Sequence, residues 1–138
     1  MSLAALTSTF VGRPYQLGHT DCFSAILGYI EARGFQTPQE FEGQTRDSYA
    51  ALFLSHPTEA KAVMIRLIDS LLPRLEPGMA FAGDILLLRL TGSDKPPFLA
   101  IDGGNGHALA AVASRGICQI SLRNYTIERV WRCQQQSL

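Results

Sequence analysis

The sequence predicts an α+β fold, with N-terminal helices packed on an antiparallel sheet of about five strands. In the first half of the chain, apolar residues recur every three or four positions, which is the period of amphipathic helices. From about residue 77 the pattern changes to short apolar runs separated by turns rich in Gly and Asn. Helices followed by strands, rather than alternating with them, favour α+β. A length of 138 residues with 46% hydrophobic residues fits a single domain over 1–138.

Four helices are expected before the sheet. The segments, in chain order, are 2–11, Cys22 to about Arg33, Asp47 to Leu54, and Thr58 up to Pro73. Thr20 or Asp21 can cap the first turn of the second helix, and Gly34 favours its end. The fourth helix has the clearest apolar stripe, which predicts ordinary core packing. That stripe consists of Met64, Leu67, Ile68 and Leu71.

Five strands are expected after the helices. They cover 83–90, 98–101, 107–112, 117–122 and 127–133. The loop Thr91 to Pro97 separates the first two strands. Asp102 to Gly106 predicts a hairpin turn between the second and third strands, because Gly and Asn tolerate positive φ.

Charge and composition exclude several classes of partner. The formal net charge is +0 and no basic run is present, so neither nucleic acid nor an anionic membrane is predicted as a partner. No apolar run approaches the ~18–20 residues that span a bilayer. The first residues lack a basic segment followed by a long apolar core, so no signal peptide is expected.

The three cysteines predict neither a metal site nor a complete set of disulfides. Cys22, Cys118 and Cys133 show no spacing typical of metal ligands, so no zinc site and no cofactor are expected. Three free thiols in a reducing compartment are the first interpretation. A Cys118–Cys133 bridge stays open as the alternative.

The segment around Cys22 resembles a known catalytic motif. Pro14, Tyr15, Gly18, Asp21 and Cys22 match, in order and spacing, the sequence Pro-Tyr-x-x-Gly-Gly-x-Asp-Cys-Ser-Gly. That sequence is typical of the NlpC-type cell-wall peptidases, which are cysteine hydrolases with a papain-like fold. The chain departs from it at His19, in place of the second Gly, and at Phe23-Ser24, in place of Ser-Gly.

The strand half extends the resemblance. Gly83-Asp84-Ile85, Phe98 to Asp102 and Gly104-Asn105-Gly106 follow the order of the family's elements. The ending is similar to the version of this domain in phage tail proteins; its residues are Tyr125, Ile127, Val130, Trp131 and Arg132. The resemblance covers roughly 3–35 and 77–132. The helical segment at about 36–76 has no counterpart.

The resemblance implies a nucleophile without its usual partners. It implies that Cys22 is the nucleophile and that Tyr15 helps to form the oxyanion pocket. An aromatic ring that closes the end of the core stays open as the alternative for Tyr15. The family's histidine base corresponds to Phe98, and its orienting polar residue corresponds to Ala110. Because neither side chain transfers a proton, the motif predicts a degenerate site.

Any of the three histidines could in principle replace the base that is missing at Phe98. His19 lies three residues before Cys22 and is the only credible displaced base. His107 is expected to lie roughly 13–16 Å along the sheet from Phe98, too far for proton transfer. His56 is interpreted as a surface or packing residue.

The two aspartates of the matching motifs have structural interpretations. Asp21 is expected to cap the helix that starts at Cys22. Asp84, at the start of a strand, is expected to hold a neighbouring turn.

Two functional hypotheses follow. The first is a degenerate NlpC-like domain that serves as a structural component of a phage tail or baseplate, contacts other tail proteins and resides in the virion after synthesis in the host cytoplasm. The second is an active cysteine peptidase or amidase, carried by a phage tail, that cleaves peptidoglycan stem peptides. Here Cys22 attacks, His19 acts as base, and the Cys22 N–H belongs to the oxyanion hole. A host-encoded intracellular domain without a phage link is a third interpretation.

Overall fold

The structure, a computed structural model, describes residues 22–112 and 116–133. Three helices precede a six-stranded antiparallel sheet, which confirms the α+β prediction. The helices are α1 (Cys22–Ala32), α2 (Arg46–Ser55) and α3 (Pro57–Leu71). The strands are β1 (Arg74–Leu75), β2 (Ile85–Leu90), β3 (Phe98–Gly104), β4 (His107–Val112), β5 (Gly116–Ser121) and β6 (Tyr125–Trp131). The expected helix at 2–11 lies outside the described residues.

The helices form where the apolar period and the end signals agree. Ile26, Leu27 and Ile30 of α1 are buried, and the positive φ of 94° at Gly34 follows its end as predicted. Helix α2 is capped reciprocally, since the Thr45 side chain accepts from the Ser48 N–H at 3.2 Å and the Ser48 side chain accepts from the Thr45 N–H at 2.7 Å. None of the helices in the described residues is long and apolar enough to cross a membrane.

The segment at 36–76, which the sequence left unplaced, is part of the main core. Helix α3 begins at Pro57, one residue before the expected Thr58, because proline suits the first helical position. Its buried stripe packs in the same cluster as α1 and includes three of the four predicted residues; Leu71 is partly buried against it. The Lys61 ammonium of α3 also donates to the Pro97 carbonyl at 2.5 Å, which ties the helix to the entry of β3.

The sheet has one strand more than expected. Its order is β1-β6-β2-β3-β4-β5, and every neighbouring pair is antiparallel. The additional strand β1 has only two residues and pairs with the end of β6. Such a short strand leaves no periodic signal in the sequence. Strand β3 extends to Gly104, further than expected, because Gly104 still pairs with His107.

A short connection requires this sheet to curl. Strands β5 and β6 are four positions apart in the sheet order, which is about 19 Å in a flat sheet. The single 3-10 turn Leu122–Asn124 joins them, and a connection from Ser121 to Tyr125 reaches about 14 Å at most. The Leu122 N–H bonds the Gly106 carbonyl and the Asn124 carbonyl accepts from Thr91, so this turn bridges two distant corners of the sheet.

Curling gives the sheet two apolar faces with different partners. The face turned toward α1 and α3 carries Ile85, Leu87, Leu99, Ile101 and Leu109. The other face, here called the concave face, carries Leu86, Leu88, Ala100, Ala108, Ala110 and Val130. Leu122 from the connecting turn packs against the concave face. Both faces of the central strands are therefore core.

Truncating the concave face should destabilise the fold as strongly as truncating a helix-covered core. Leu88 on this face is 0% exposed, so Leu88→Ala should lower the free energy of unfolding by about 2–5 kcal/mol. Leu54→Ala is the matched control, since Leu54 is 73% exposed and its truncation should change stability by less than about 0.5 kcal/mol. Urea denaturation of both variants measures the difference. Equal, small effects would contradict the closed sheet.

Candidate functional site

The candidate nucleophile, Cys22, is the first described residue of α1. The helix covers Cys22–Ala32 and packs against β3 and β4. An N-terminal helix position favours a thiolate through the helix dipole and the free N–H groups of the first turn. The side chain of Cys22, together with Tyr15, His19 and Asp21, lies outside the described part of the chain. The structure therefore places the helix of the candidate site but not the groups around its sulfur.

Phe98, at the position that the resemblance assigns to a base, is a packing residue. It is the first residue of β3, directly opposite Leu88 on β2. Its ring meets the Tyr125 ring edge-on, with centroids 5.5 Å apart and planes at 86°. Phe98 belongs to the cluster on the concave face, whereas the buried residues of α1 belong to the other cluster. The side chain at position 98 thus points away from the face on which α1 packs.

Ala110, at the position of the orienting residue, lies on the same concave face. It is 3% exposed and sits opposite Ala100 on β3 and Cys118 on β5. The two positions are on adjacent strands, β3 and β4. Both are occupied by apolar side chains that fill the interior of the curled sheet.

Neither described histidine stands near Phe98. His107 pairs with Gly104, six residues further along β3, which is roughly 20 Å from Phe98 at the usual rise of a strand. This exceeds the expected separation because β3 is longer than predicted. His56 is exposed between α2 and α3, where its Nδ1 lies 3.0 Å from the Ser55 hydroxyl. His19 is outside the described residues, so its role stays a prediction.

Asp84 has the structural role expected of it. Its Oδ2 accepts from the Phe81 N–H at 3.1 Å, which holds the turn before β2. The Arg132 guanidinium pairs with both carboxylate oxygens, at 3.1 and 3.2 Å, and lies 3.9 Å from the centre of the Phe81 ring. Asp84 is only 2% exposed, and a carboxylate so buried needs a charged partner. The sequence carries no signal for this partner, which is 48 residues away.

Further polar contacts fasten the same end of the sheet to the helices. The buried Tyr29 hydroxyl of α1 donates to the Gly83 carbonyl at 2.7 Å, and burial raises the pKa of Tyr29 to about 12. The Trp131 indole N–H donates to Asp69 of α3 at 2.8 Å. These hydrogen bonds hold α1 and α3 against the sheet, and the groups that make them do not form a catalytic arrangement.

The two described cysteines are free thiols. Cys118 is partly buried on β5, and Cys133 is buried just beyond β6. Burial raises the pKa of the Cys133 thiol to about 11, which makes this cysteine a poor nucleophile. The Cys118–Cys133 bridge left open by the sequence is absent from this structure. Among the described residues, no group of three or more His, Cys, Asp or Glu side chains is arranged to hold a metal ion.

Restoring the family's histidine should not restore a base. Phe98→His would place an imidazole against Tyr125 in an apolar cluster, so it should destabilise the fold by about 1–3 kcal/mol. It should produce no release of peptides from peptidoglycan. Phe98→Leu is the control, since it stays apolar and should cost less. Urea denaturation and a peptidoglycan digestion assay measure both effects; hydrolysis by Phe98→His that Cys22→Ser abolishes would contradict this placement.

Comparison with known proteins gives the family but no activity. A family model described as a domain of unknown function, DUF6950, matches residues 1–133. No curated protein matches the sequence. The match spans nearly the whole length, from before the Cys22 helix to beyond β6. The chain therefore belongs to the DUF6950 family.

Proposed function

We propose that this chain is an NlpC-like domain that has lost its hydrolytic site and serves as a structural component of a phage tail or baseplate. The observation that carries the proposal is the packing of Phe98 against Tyr125 on the concave face. A cysteine hydrolase needs a proton acceptor within about 3 Å of its nucleophile. The position that the resemblance assigns to that acceptor is occupied by an aromatic ring and faces the interior of the sheet.

The arrangement of the elements supports the NlpC-like part of the proposal. The helix that carries the candidate nucleophile packs on β3 and β4, the two strands to which the resemblance assigns the base and the orienting residue. Gly83-Asp84, which matches the family's strand entry, directly precedes β2. The fold alone does not determine activity, and the apolar side chain at the position assigned to the base supports a scaffold over a hydrolase.

The tail assignment is supported by the ending that resembles phage tail versions of the domain. In this chain that ending forms β6 and the residue after it, Arg132, and three of its residues join separate elements. Tyr125 packs on Phe98, Trp131 bonds Asp69 of α3, and Arg132 pairs with Asp84. The resembling residues thus stabilise the fold, as a structural component requires.

An active peptidase is the competing hypothesis, and one observation favours it. Cys22 lies on α1, and the sequence predicts that it stands in the first turn of this helix, where the helix dipole lowers a thiol pKa. In this hypothesis His19 is the displaced base and Cys22 attacks a peptide of the cell wall. The two hypotheses predict different reactivity for one sulfur.

Residue-resolved alkylation across pH 5–10 separates them. In the scaffold, Cys22 should react with a midpoint near the free-thiol pKa of ~8.5, and His19→Ala should leave that midpoint unchanged. Wild-type protein should release no stem peptides from purified peptidoglycan. The buried Cys133 is the internal reference, because its pKa of about 11 should keep it unlabelled until the protein is denatured.

Two results would overturn the scaffold hypothesis. One is a Cys22 midpoint below pH 7 that His19→Ala raises. The other is release of stem peptides by the wild type and not by Cys22→Ser.

The tail assignment has its own test, because mass spectrometry of purified tails should find the chain at a fixed ratio to other tail proteins. Detection only in the soluble lysate would contradict it.

A further inference from the structure

The hairpin between β3 and β4 turns at an Asn-Gly pair. Asn105 and Gly106 are its two central residues, and Gly104 pairs with His107 on either side of them. Both central residues have a positive φ, 55° and 77°, which identifies a type I′ turn. This turn selects Asn and Gly because few other residues adopt its conformation without strain. The same pair is chemically reactive, since asparagine is thermolabile and the glycine after it leaves the main-chain nitrogen unhindered.

Neither of the two reacting groups is engaged in the folded chain. Among the described residues, the Asn105 carboxamide and the Gly106 N–H have no hydrogen-bond partner. Both residues are exposed, and a Cβ built on Gly106 would meet no atom within 4 Å. The Gly106 carbonyl, by contrast, accepts from the Leu122 N–H at 2.8 Å. The surroundings of the turn therefore let the Asn105 side chain rotate toward the Gly106 nitrogen.

The second asparagine of the chain is protected at the corresponding atoms. Asn124 is followed by Tyr125, whose N–H donates to the Leu122 carbonyl. A hydrogen-bonded nitrogen cannot attack the preceding side chain until that bond opens. The Tyr125 ring also packs on Phe98, with centroids 5.5 Å apart, which resists such an opening. The structure thus separates two asparagines that composition alone treats as equal.

We propose that Asn105 is a site of spontaneous deamidation, at which asparagine becomes a mixture of aspartate and isoaspartate. The Gly106 nitrogen attacks the Asn105 Cγ, a bond forms between these atoms, and the Cγ–Nδ2 bond breaks. Ammonia leaves with the proton that the Gly106 nitrogen gives up, and a succinimide remains. One water molecule then opens this ring. Cleavage of the new bond at Cγ gives aspartate, whereas cleavage of the original peptide bond gives isoaspartate. One water is consumed, one ammonia is released, and nothing is oxidised or reduced.

The two products should affect the fold differently. Aspartate tolerates the left-handed region as asparagine does, so a chain with aspartate at position 105 keeps the turn. Isoaspartate carries the main chain through its side-chain carbon and adds one atom to a two-residue turn. This displaces the Gly106 carbonyl from the Leu122 N–H, the bond that attaches the connection between β5 and β6 to this hairpin. The inference goes beyond the proposed function and does not rest on it.

Peptide mapping of the folded wild-type chain, incubated at mildly alkaline pH, tests the proposal. Mass spectrometry should show deamidation at Asn105 about tenfold or more faster than at Asn124, because Asn124 reacts only after the Tyr125 N–H bond opens. An isoaspartyl methyltransferase should label position 105, since the succinimide gives isoaspartate and direct hydrolysis of the side chain does not. The chain unfolded in urea supplies the intrinsic reactivity of both asparagines.

Two matched substitutions assign the released ammonia to one site. Asn105→Asp should abolish most of the ammonia release and leave the urea midpoint nearly unchanged. Asn124→Asp makes the same chemical change in the connection between β5 and β6, and its ammonia release should equal that of the wild type. Purified isoaspartyl chains should have a ratio of folded to unfolded molecules about five- to thirtyfold lower than chains with aspartate at position 105.

Four results would overturn the inference. Deamidation of Asn105 in urea alone would show that the folded turn prevents the attack. Equal rates at Asn105 and Asn124 in the folded chain would remove the distinction between them. Aspartate without isoaspartate would exclude the succinimide, and isoaspartyl chains as stable as aspartyl chains would contradict the effect on the fold. Because none of these readouts involves Cys22 or peptidoglycan, they are independent of the test of the scaffold role.

Discussion

The three-residue turn between β5 and β6 is the constraint on which the rest of the structure depends. It joins strands that a flat sheet would hold further apart than the turn can reach, so the sheet has to curl. Curling turns one face inward, where alanines at 100, 108 and 110 leave room for the opposing leucines. Larger residues at these three positions would overpack a closed interior. The small side chains on β3 and β4 therefore follow from the length of one turn.

The polar contacts that join helices to sheet are concentrated at one end of the molecule. Tyr29 holds the entry of β2 and Asp69 holds the end of β6, while Arg132 ties these two strands' ends together through Asp84. These partners are partly or fully buried, and removing one of a buried pair leaves the other without compensation. The end that carries Phe98 is held by apolar packing and by Lys61. The molecule is thus held together by specific polar pairs at one end and mainly by apolar packing at the end that carries Phe98.

Local sequence patterns predicted the helices and strands, but they did not predict which residues far apart in the sequence pair with each other. The stripe of α3 and the positive φ at Gly34 follow from a few neighbouring residues, and both were predicted correctly. The pairing of β6 with β2 and the partner of Asp84 depend on residues 35 to 48 positions apart, for which a single sequence has no periodic signal. The candidate site was predictable only as residue types at motif positions. Which face Phe98 occupies depends on strand phase and curvature, and these became visible only in the folded sheet.

Strand alternation explains why a base is difficult to accommodate on β3. Side chains along a strand alternate between the two faces, so Phe98 and Ala100 face the interior and Leu99 faces α1. A base directed at the helix would have to replace Leu99, which is 1% exposed in the main core. There it would bury a group that charges during catalysis, at a cost that an apolar neighbourhood does not compensate. Both faces of β3 are already used for packing. A single histidine would therefore either point away from α1, if it replaced Phe98, or bury a charge in the main core, if it replaced Leu99. A hydrolytic base on this strand would therefore require several coordinated substitutions, whereas the present residues of β3 all contribute to packing.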